Sequence, residues 1–299
     1  MAGLRDSVTD KRFTQLTGGH NVLSSMAKSE DIKVWRRNDL GGVEFRTGTA
    51  VSEPYPKHWH DEYQVCLITD GGGEVNYRGV RYDTPAESLF ILHPGEIHSN
   101  YTSTGCSFRS VYIEPKLVSA AILNEGSDKG LPFFANPIVF DREVISAFIA
   151  MHQEVSRSVS KMENEGSLLD FLGLLAKRSE IRGEPARNGN EPAAIRIARD
   201  YITEHHERNI SLRELGILTA LSPFHLARVF SRTVGMPPHA FQTSVRISAG
   251  KEWIRRGRTV AEAAVLVGFA DQSHFHRHFL RLMKVTPGEY LKNSKNVQS

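Results

Sequence analysis

The chain has little cysteine: Cys66 and Cys106 are the only two in 299 residues. Both sit in apolar, strand-like stretches, a usage that fits reduced, buried thiols better than a structural disulfide and leaves no metal site built on several thiolates. Long hydrophobic runs are missing too. No stretch approaches the ~20 apolar residues that cross a bilayer, and the first 30 residues lack the apolar segment of ~7–15 residues that a secretory leader carries. These absences predict a cytoplasmic chain without a membrane span. Nor is there a decisive overall charge, since 37 Lys and Arg face 34 Asp and Glu for a net +3.

The charge is nevertheless uneven along the chain. Residues 193–299 hold 16 basic against 8 acidic side chains, whereas the first 192 hold 21 against 26. The C-terminal third is thus suited to a polyanion, although a basic solvated surface has the same composition. Residues 40–113 read as short strands (43–49, 63–68, 74–77, 88–92 and 108–113), separated by Asp70-Gly71-Gly72-Gly73 and Pro94-Gly95. That spacing predicts an antiparallel barrel or sandwich. From 141 onward the apolar period lengthens to three and four residues, through Val144, Ile145, Phe148, Ile149 and Val155, then Leu168, Leu169, Leu172 and Leu175. Two amphipathic helices follow from it. Residues 182–192, with two prolines, two glycines and nothing apolar larger than Ala, read as an exposed linker.

Beyond that linker lies an internal repeat. Ser211-Leu212-Arg213-Glu214 and Thr259-Val260-Ala261-Glu262, 48 residues apart, each have the form of a capping box, in which hydroxyl and carboxylate satisfy reciprocal N–H groups at a helix start. Leu226, Arg228, Phe230 and Arg232 then match Phe275, Arg277, Phe279 and Arg281 at an offset of 49. Each repeat is a capped helix, a tight turn (Ala220-Leu221-Ser222; Gly268-Phe269-Ala270-Asp271) and a second helix with one apolar and one Arg-rich face. This is a helix-turn-helix pattern, twice over. With Leu226, Val229, Phe230, Phe275 and Phe279 turned to the core, Phe224, Ala227, Arg228 and Arg232, then Gln272, Ser273, His274 and Arg277, are left for DNA. Arg pairs bidentately with guanine and Gln with adenine; a phosphate contact or an intramolecular ion pair is the alternative for Arg228 and Arg277. Ala227 offers only an apolar contact, such as a thymine methyl. The helix opened by Pro237-Pro238 joins the units with Phe241, Val245 and Trp253 as its buried candidates, and its ~27 Å length is close to the ~34 Å between successive major-groove faces.

Residues 193–292 resemble the AraC/XylS-type DNA-binding domain, through L-S-P-F-H-L-A-R-V-F, G-M-P-P, V-G-F-A-D-Q-S-H-F and V-T-P-G-E-Y. Gly216 and Gly250 stand where Ala is usual in that pattern, Ala220 replaces the Gly of the first turn and Lys284 the Gly that ends the second reading helix. The barrel region, with His58-Trp59-His60, Gln64, Gly71 and Pro94-Gly95-Glu96-Ile97-His98, resembles the cupin pattern with Gln64 at the Glu position. His58, His60 and His98 have three readings: ligands of a divalent metal, weakened by the missing carboxylate; with Gln64, hydrogen-bonding groups around an organic effector; or structural histidines at a barrel rim. The resemblance implies an effector bound in the barrel without a metal cofactor, dimerisation through the helices of 119–181, contact with RNA polymerase, and activation of transcription.

The expected organisation is therefore an arm (1–36), a cupin-like all-β effector barrel (37–118), a helical dimerisation segment (119–181), a linker (182–192) and an all-α DNA-binding domain with two helix-turn-helix units (193–299). The expected function is a non-enzymatic, effector-responsive transcription regulator, a homodimer binding double-stranded DNA. A cupin metalloenzyme with a DNA-binding tail and an architectural DNA-binding protein are the alternatives.

Overall fold

The computed structural model describes residues 31–102, 104–122, 131–157, 160–182 and 192–295. The N-terminal half holds β1 (Asp31–Arg37), β2 (Val43–Val51), β3 (Tyr55–His58), β4 (Tyr63–Tyr77), β5 (Val80–Pro85), β6 (Leu89–Leu92), β7 (His98–Tyr101) and β8 (Cys106–Ile113). It continues with α1 (Pro115–Ile122), β9 (Leu131–Phe133), β10 (Ile138–Val139), α2 (Arg142–Arg157), α3 (Lys161–Ala176) and β11 (Glu180–Arg182). The C-terminal half is helical: α4 (Ala193–Glu204), α5 (Leu212–Thr219), α6 (Pro223–Val234), α7 (Pro238–Arg255), α8 (Val260–Leu266), α9 (Gln272–Met283) and α10 (Pro287–Lys295). The strand-rich and helical halves anticipated from the sequence are both present. Most of the proposed linker and residues 1–30 of the proposed arm lie outside the described residues.

Nine strands form one sheet along β1-β2-β8-β4-β6-β10, with β3, β5 and β7 attached through the far half of β4. β4 is the spine. Up to Gly71 it pairs with β8 and β6, and from Gly72 with β5 and β7. The glycine run expected to separate two strands therefore lies inside one. A Cβ on Gly71 would stand 2.3 Å from the Gly105 carbonyl oxygen, and one on Gly73 2.4 Å from that of Tyr101. The missing side chains let β4 change partners against closely approaching backbones instead of ending it. Residues 31–36, expected to belong to the arm, are likewise strand: β1 pairs along its length with β2, from Asp31 opposite Thr49 to Arg37 opposite Val43.

Alternation along the strands sets two cores. Val65, Leu67, Leu89, Ile91, Val111 and Ile113 pack outward against Val144, Phe148, Met151, Val155, Leu168 and Phe171 of α2 and α3, while Cys66, Ile68, Phe90, Leu92 and Phe108 face the barrel interior. The stripes of α2 and α3 are thus covered by the barrel, except that Leu169, expected in the second stripe, turns outward. What α3 leaves exposed is Met162 and Leu169.

The helical half repeats one design with local differences. Thr259 and Glu262 close a full capping box on α8, but on α5 only half of the expected box forms. Ser211 accepts from the Glu214 N–H, whereas the Glu214 carboxylate is drawn away to the Tyr201 hydroxyl (2.7 Å) and Arg208. Ala220 and Lys284, which replace glycine, adopt φ of +55° and +59°, a left-handed conformation that costs an L-residue ~1–2 kcal/mol. Gly250 is in place for close packing: a Cβ there would lie 2.5 Å from the Phe275 ring. α7 is shared between the units, giving Phe241 and Val245 to the first core and Ile247 and Ile254 to the second. Trp253 is only half-buried, and Lys251 takes a buried place in its stead.

Candidate functional site

The second helix of each unit begins where its cap places it. Ser222 accepts from the His225 N–H to start α6, and Asp271 from the His274 N–H (2.7 Å) to start α9. Leu226, Val229 and Phe230 of α6, and Phe275 and Phe279 of α9, are buried as the apolar spacing predicted. Phe224, Arg228, Arg232, Gln272, Ser273 and Arg277 are exposed, with Phe224 79 % accessible. Two of the outward candidates are less free than expected. Ala227 is half-buried, and His274 is half-buried with its Nε2 3.0 Å from that of His278 and its ring edge-on to Phe269. Residues i and i+4 share a helix face, so His274 is held by its own helix.

In the barrel, His58, His60 and His98 converge, with ring centroids 4.2 Å (His58 to His98) and 4.9 Å (His60 to His98) apart. Each Nδ1 lies against a backbone carbonyl, that of Pro56, Glu62 or Glu96. A carbonyl only accepts, so in His58 and His98 the ring proton sits on Nδ1 and Nε2 keeps a lone pair. Burial and the neighbouring imidazole of His60 push His58 down to about 3; burial also lowers His60 and drives His98 well below the usual range. His60 lies between two acceptor oxygens, the Glu62 carbonyl and, 3.1 Å from its Nε2, the Gln64 Oε1, and only the turned Gln64 amide would donate to that Nε2; among the described residues His98 Nε2 has no partner. Among the described residues, no group of three or more His, Cys, Asp or Glu is arranged to hold a metal ion.

His58, Gln64 and His98 border a cleft in the barrel with about 620 Å³ of empty space, including its mouth. His60 stands on the other side, in a second cleft between the halves. Sequence reasoning missed Cys66, Asn100, Phe108 and Tyr112 in the first cleft, although counting in twos from Gln64 and His98 reaches Cys66 and Asn100.

The two halves are docked. Ile32 and Val34 of β1 enter the core of the second unit. Trp59 and Ile97 pack on the core of the first, the Trp59 ring stacked 5.9 Å from Phe241. Beside these contacts runs a buried ionic cluster. Glu44 pairs with Arg46 and accepts from the Tyr290 hydroxyl (2.7 Å), and Lys251 Nζ donates to Glu62 Oε1 (2.7 Å). Burial alone would raise the Glu44 carboxyl, but the charges of Arg46 and Lys251 hold it down at about 2; Glu62 is likewise held low and Lys251 high, each by the other's charge against the cost of burial. Arg46 also lies over the ring of Tyr112, 4.4 Å from its centroid. His58 and Tyr112 border both clefts, and Leu282 and Met283, at the far end of α9, border the second.

A strand-built cavity docked onto two tandem helix-turn-helix units defines a class: DNA-binding regulators with a ligand-binding domain. Two family models match this chain in that order, the AraC-like ligand binding domain over residues 40–172 and a helix-turn-helix domain over 217–293. The probable transcriptional regulator LumQ of Photobacterium leiognathi is 30% identical over 248 residues, 78% of this chain and 90% of LumQ. YbfI of Bacillus subtilis, an uncharacterized HTH-type transcriptional regulator, is 25% identical over 229 residues, 75% of this chain and 82% of its own. The chain belongs to the AraC family of transcriptional regulators. Its fold is similar to that of apo ToxT from Vibrio cholerae, with a TM-score of 0.52 at 17% identity, covering 88% of this chain and 97% of that one. Among the described residues no helix is long and apolar enough to cross a membrane.

Proposed function

We propose that this protein regulates transcription by reading DNA through α6 and α9 while the barrel, by binding a small effector, sets how the helical half is held. One observation carries the reading. In the segments 58–59 and 97–98, a group that lines the barrel cleft adjoins one that docks the helical half: His58 and His98 line that cleft, and their neighbours Trp59 and Ile97 pack on the first unit. A ligand that moves the histidines moves the docking residues on the same backbone. Only a ligand with different affinities for two arrangements shifts their balance, and this wiring supplies such a difference.

In this reading Phe224, Ala227, Arg228, Arg232, Gln272, Ser273, His274 and Arg277 meet bases or flanking phosphates. The barrel residues His58, Gln64 and His98 contact the effector, and His60 positions Gln64. The protein works in the cytoplasm as a homodimer, as an activator contacting RNA polymerase, and has no enzymatic activity. With the apolar stripes of α2 and α3 buried on the barrel, the dimer contact falls to Met162 and Leu169, seven residues apart on the outer side of α3.

Footprinting followed by binding to the recovered operator tests the assignment. Arg228→Ala and Arg277→Ala each weaken operator binding by ~1–3 kcal/mol, and weaken binding to random DNA less. Equal losses on both DNAs would reduce these residues to phosphate contacts. An operator affinity that no metabolite alters would mark a constitutive DNA-binding protein instead.

A further inference from the structure

Resting on the reading of the barrel as the effector site, we propose that its ligand is an organic cation: a protonated amine carried on an apolar body. The cleft combines acidic charge with buried acceptors. Two carboxylates, Glu53 and Glu74, are among its described lining residues, and no Lys or Arg is. His98 Nε2 and Asn100 Oδ1 are buried atoms without a hydrogen-bond partner. The Nδ1 contacts of His58 and His98 to the Pro56 and Glu96 carbonyls fix both rings as Nε2 acceptors.

Each carboxylate has a cation near it, but outside the lining. Glu74 meets the exposed Arg81 at 3.4 Å, a pair screened by solvent, whereas the largely exposed Glu53 meets the largely buried Lys284 side chain at 3.0 Å, so Glu74 is the carboxylate left for a ligand. A carboxylate ligand would bring lone pairs against lone pairs and negative charge against negative charge. A neutral polyol would satisfy the acceptors and leave Glu74 to its one exposed partner. An ammonium group brings up to three N–H donors and the charge of opposite sign. Ile68, Phe90 and Phe108 form an apolar wall for the rest of the molecule.

The test is calorimetric titration of the full-length protein with phenethylamine, tyramine and cadaverine, beside the matched acid 3-phenylpropionate, the matched alcohol 2-phenylethanol, and zinc chloride. The expected result is that at least one amine binds tenfold or more tightly than the acid and the alcohol. Glu74→Gln and His98→Leu then weaken it at least tenfold, and Asn100→Asp, which adds a carboxylate, tightens it. Preference for the acid, the alcohol or zinc, or no binding by any amine, overturns the proposal. Phe108→Trp, which fills the cleft, separates the two levels of the argument. If the acid or alcohol binds and this variant abolishes binding, the effector site stands and the ligand class falls. If no probe binds and this variant controls its operator like the parent, both fall.

Discussion

Breaking the Lys251–Glu62 pair separates a buried ionic contact from an ornamental one. Nζ and Oε1 are 2.7 Å apart, with side chains 7% and 10% exposed. At an effective dielectric of ~20 the attraction is ~6 kcal/mol, and removing both ions from water costs several kcal/mol each. The intact pair therefore contributes little net stability. Removing one partner is different, because it strands the other in the interface at a cost of ~3–5 kcal/mol. Glu62→Gln and Lys251→Met are each expected near the lower end, since Glu44 remains near Lys251 and Arg255 near Glu62. The double variant Glu62→Leu/Lys251→Met, which removes both charges, is expected to cost less than the two single changes added, with a coupling of ~2 kcal/mol or more. Urea unfolding followed by tryptophan emission and circular dichroism measures all three. Single costs below ~1 kcal/mol, the size of a solvent-exposed pair, or an additive double variant, would refute the reasoning.

Three further outcomes follow from the same geometry. His58 is held neutral down to about 3 while the unfolded chain takes up a proton near 6.5. The unfolded state then binds more protons, so stability falls as pH is lowered from 6.5 toward 3, by ~1.4 kcal/mol per pH unit for this group; His58→Leu flattens the slope of midpoint against pH, and an unchanged slope would assign it elsewhere. Ala220→Gly relieves the left-handed conformation at the first turn and raises the denaturation midpoint, by up to ~1 kcal/mol after the entropy gained by the unfolded chain is deducted; a loss of stability would contradict the strain. Trp59→Ala removes the ring stacked on Phe241 and increases hydrogen exchange in the first half of α7, whereas unchanged protection there would show that docking does not depend on Trp59.

The helical half was largely legible because its signals are local. Caps, turns and apolar spacing in the two repeats sit within a dozen residues of what they control, and Ser222, Asp271 and Thr259 start their helices where the pattern put them. The barrel was legible as strands but not as a cavity. Its histidines were visible as a motif, yet the continuity of β4 through Gly71–Gly73 depends on backbones from Tyr101 and Gly105, distant in sequence. Least legible was the joint between the halves. Lys251 and Glu62 are 189 residues apart and Tyr290 and Glu44 246, and no periodicity relates such positions. A lysine inside α7 reads as a solvated residue until its partner is found. The α2 and α3 stripes were visible, but what they would cover was not.

α9 touches the barrel side with Leu282 and Met283 and offers Gln272 and Ser273 to solvent at its other end. A 12-residue helix is a rod of roughly 18 Å, and turning it by about 5° about one end carries the other about 1.5 Å. A base contact made at ~2.9 Å lies beyond bonding distance after a shift of that size. On the proposed reading, a side-chain adjustment too slight to alter the outline of the molecule would be enough, through leverage, to decide whether a letter of the operator is read.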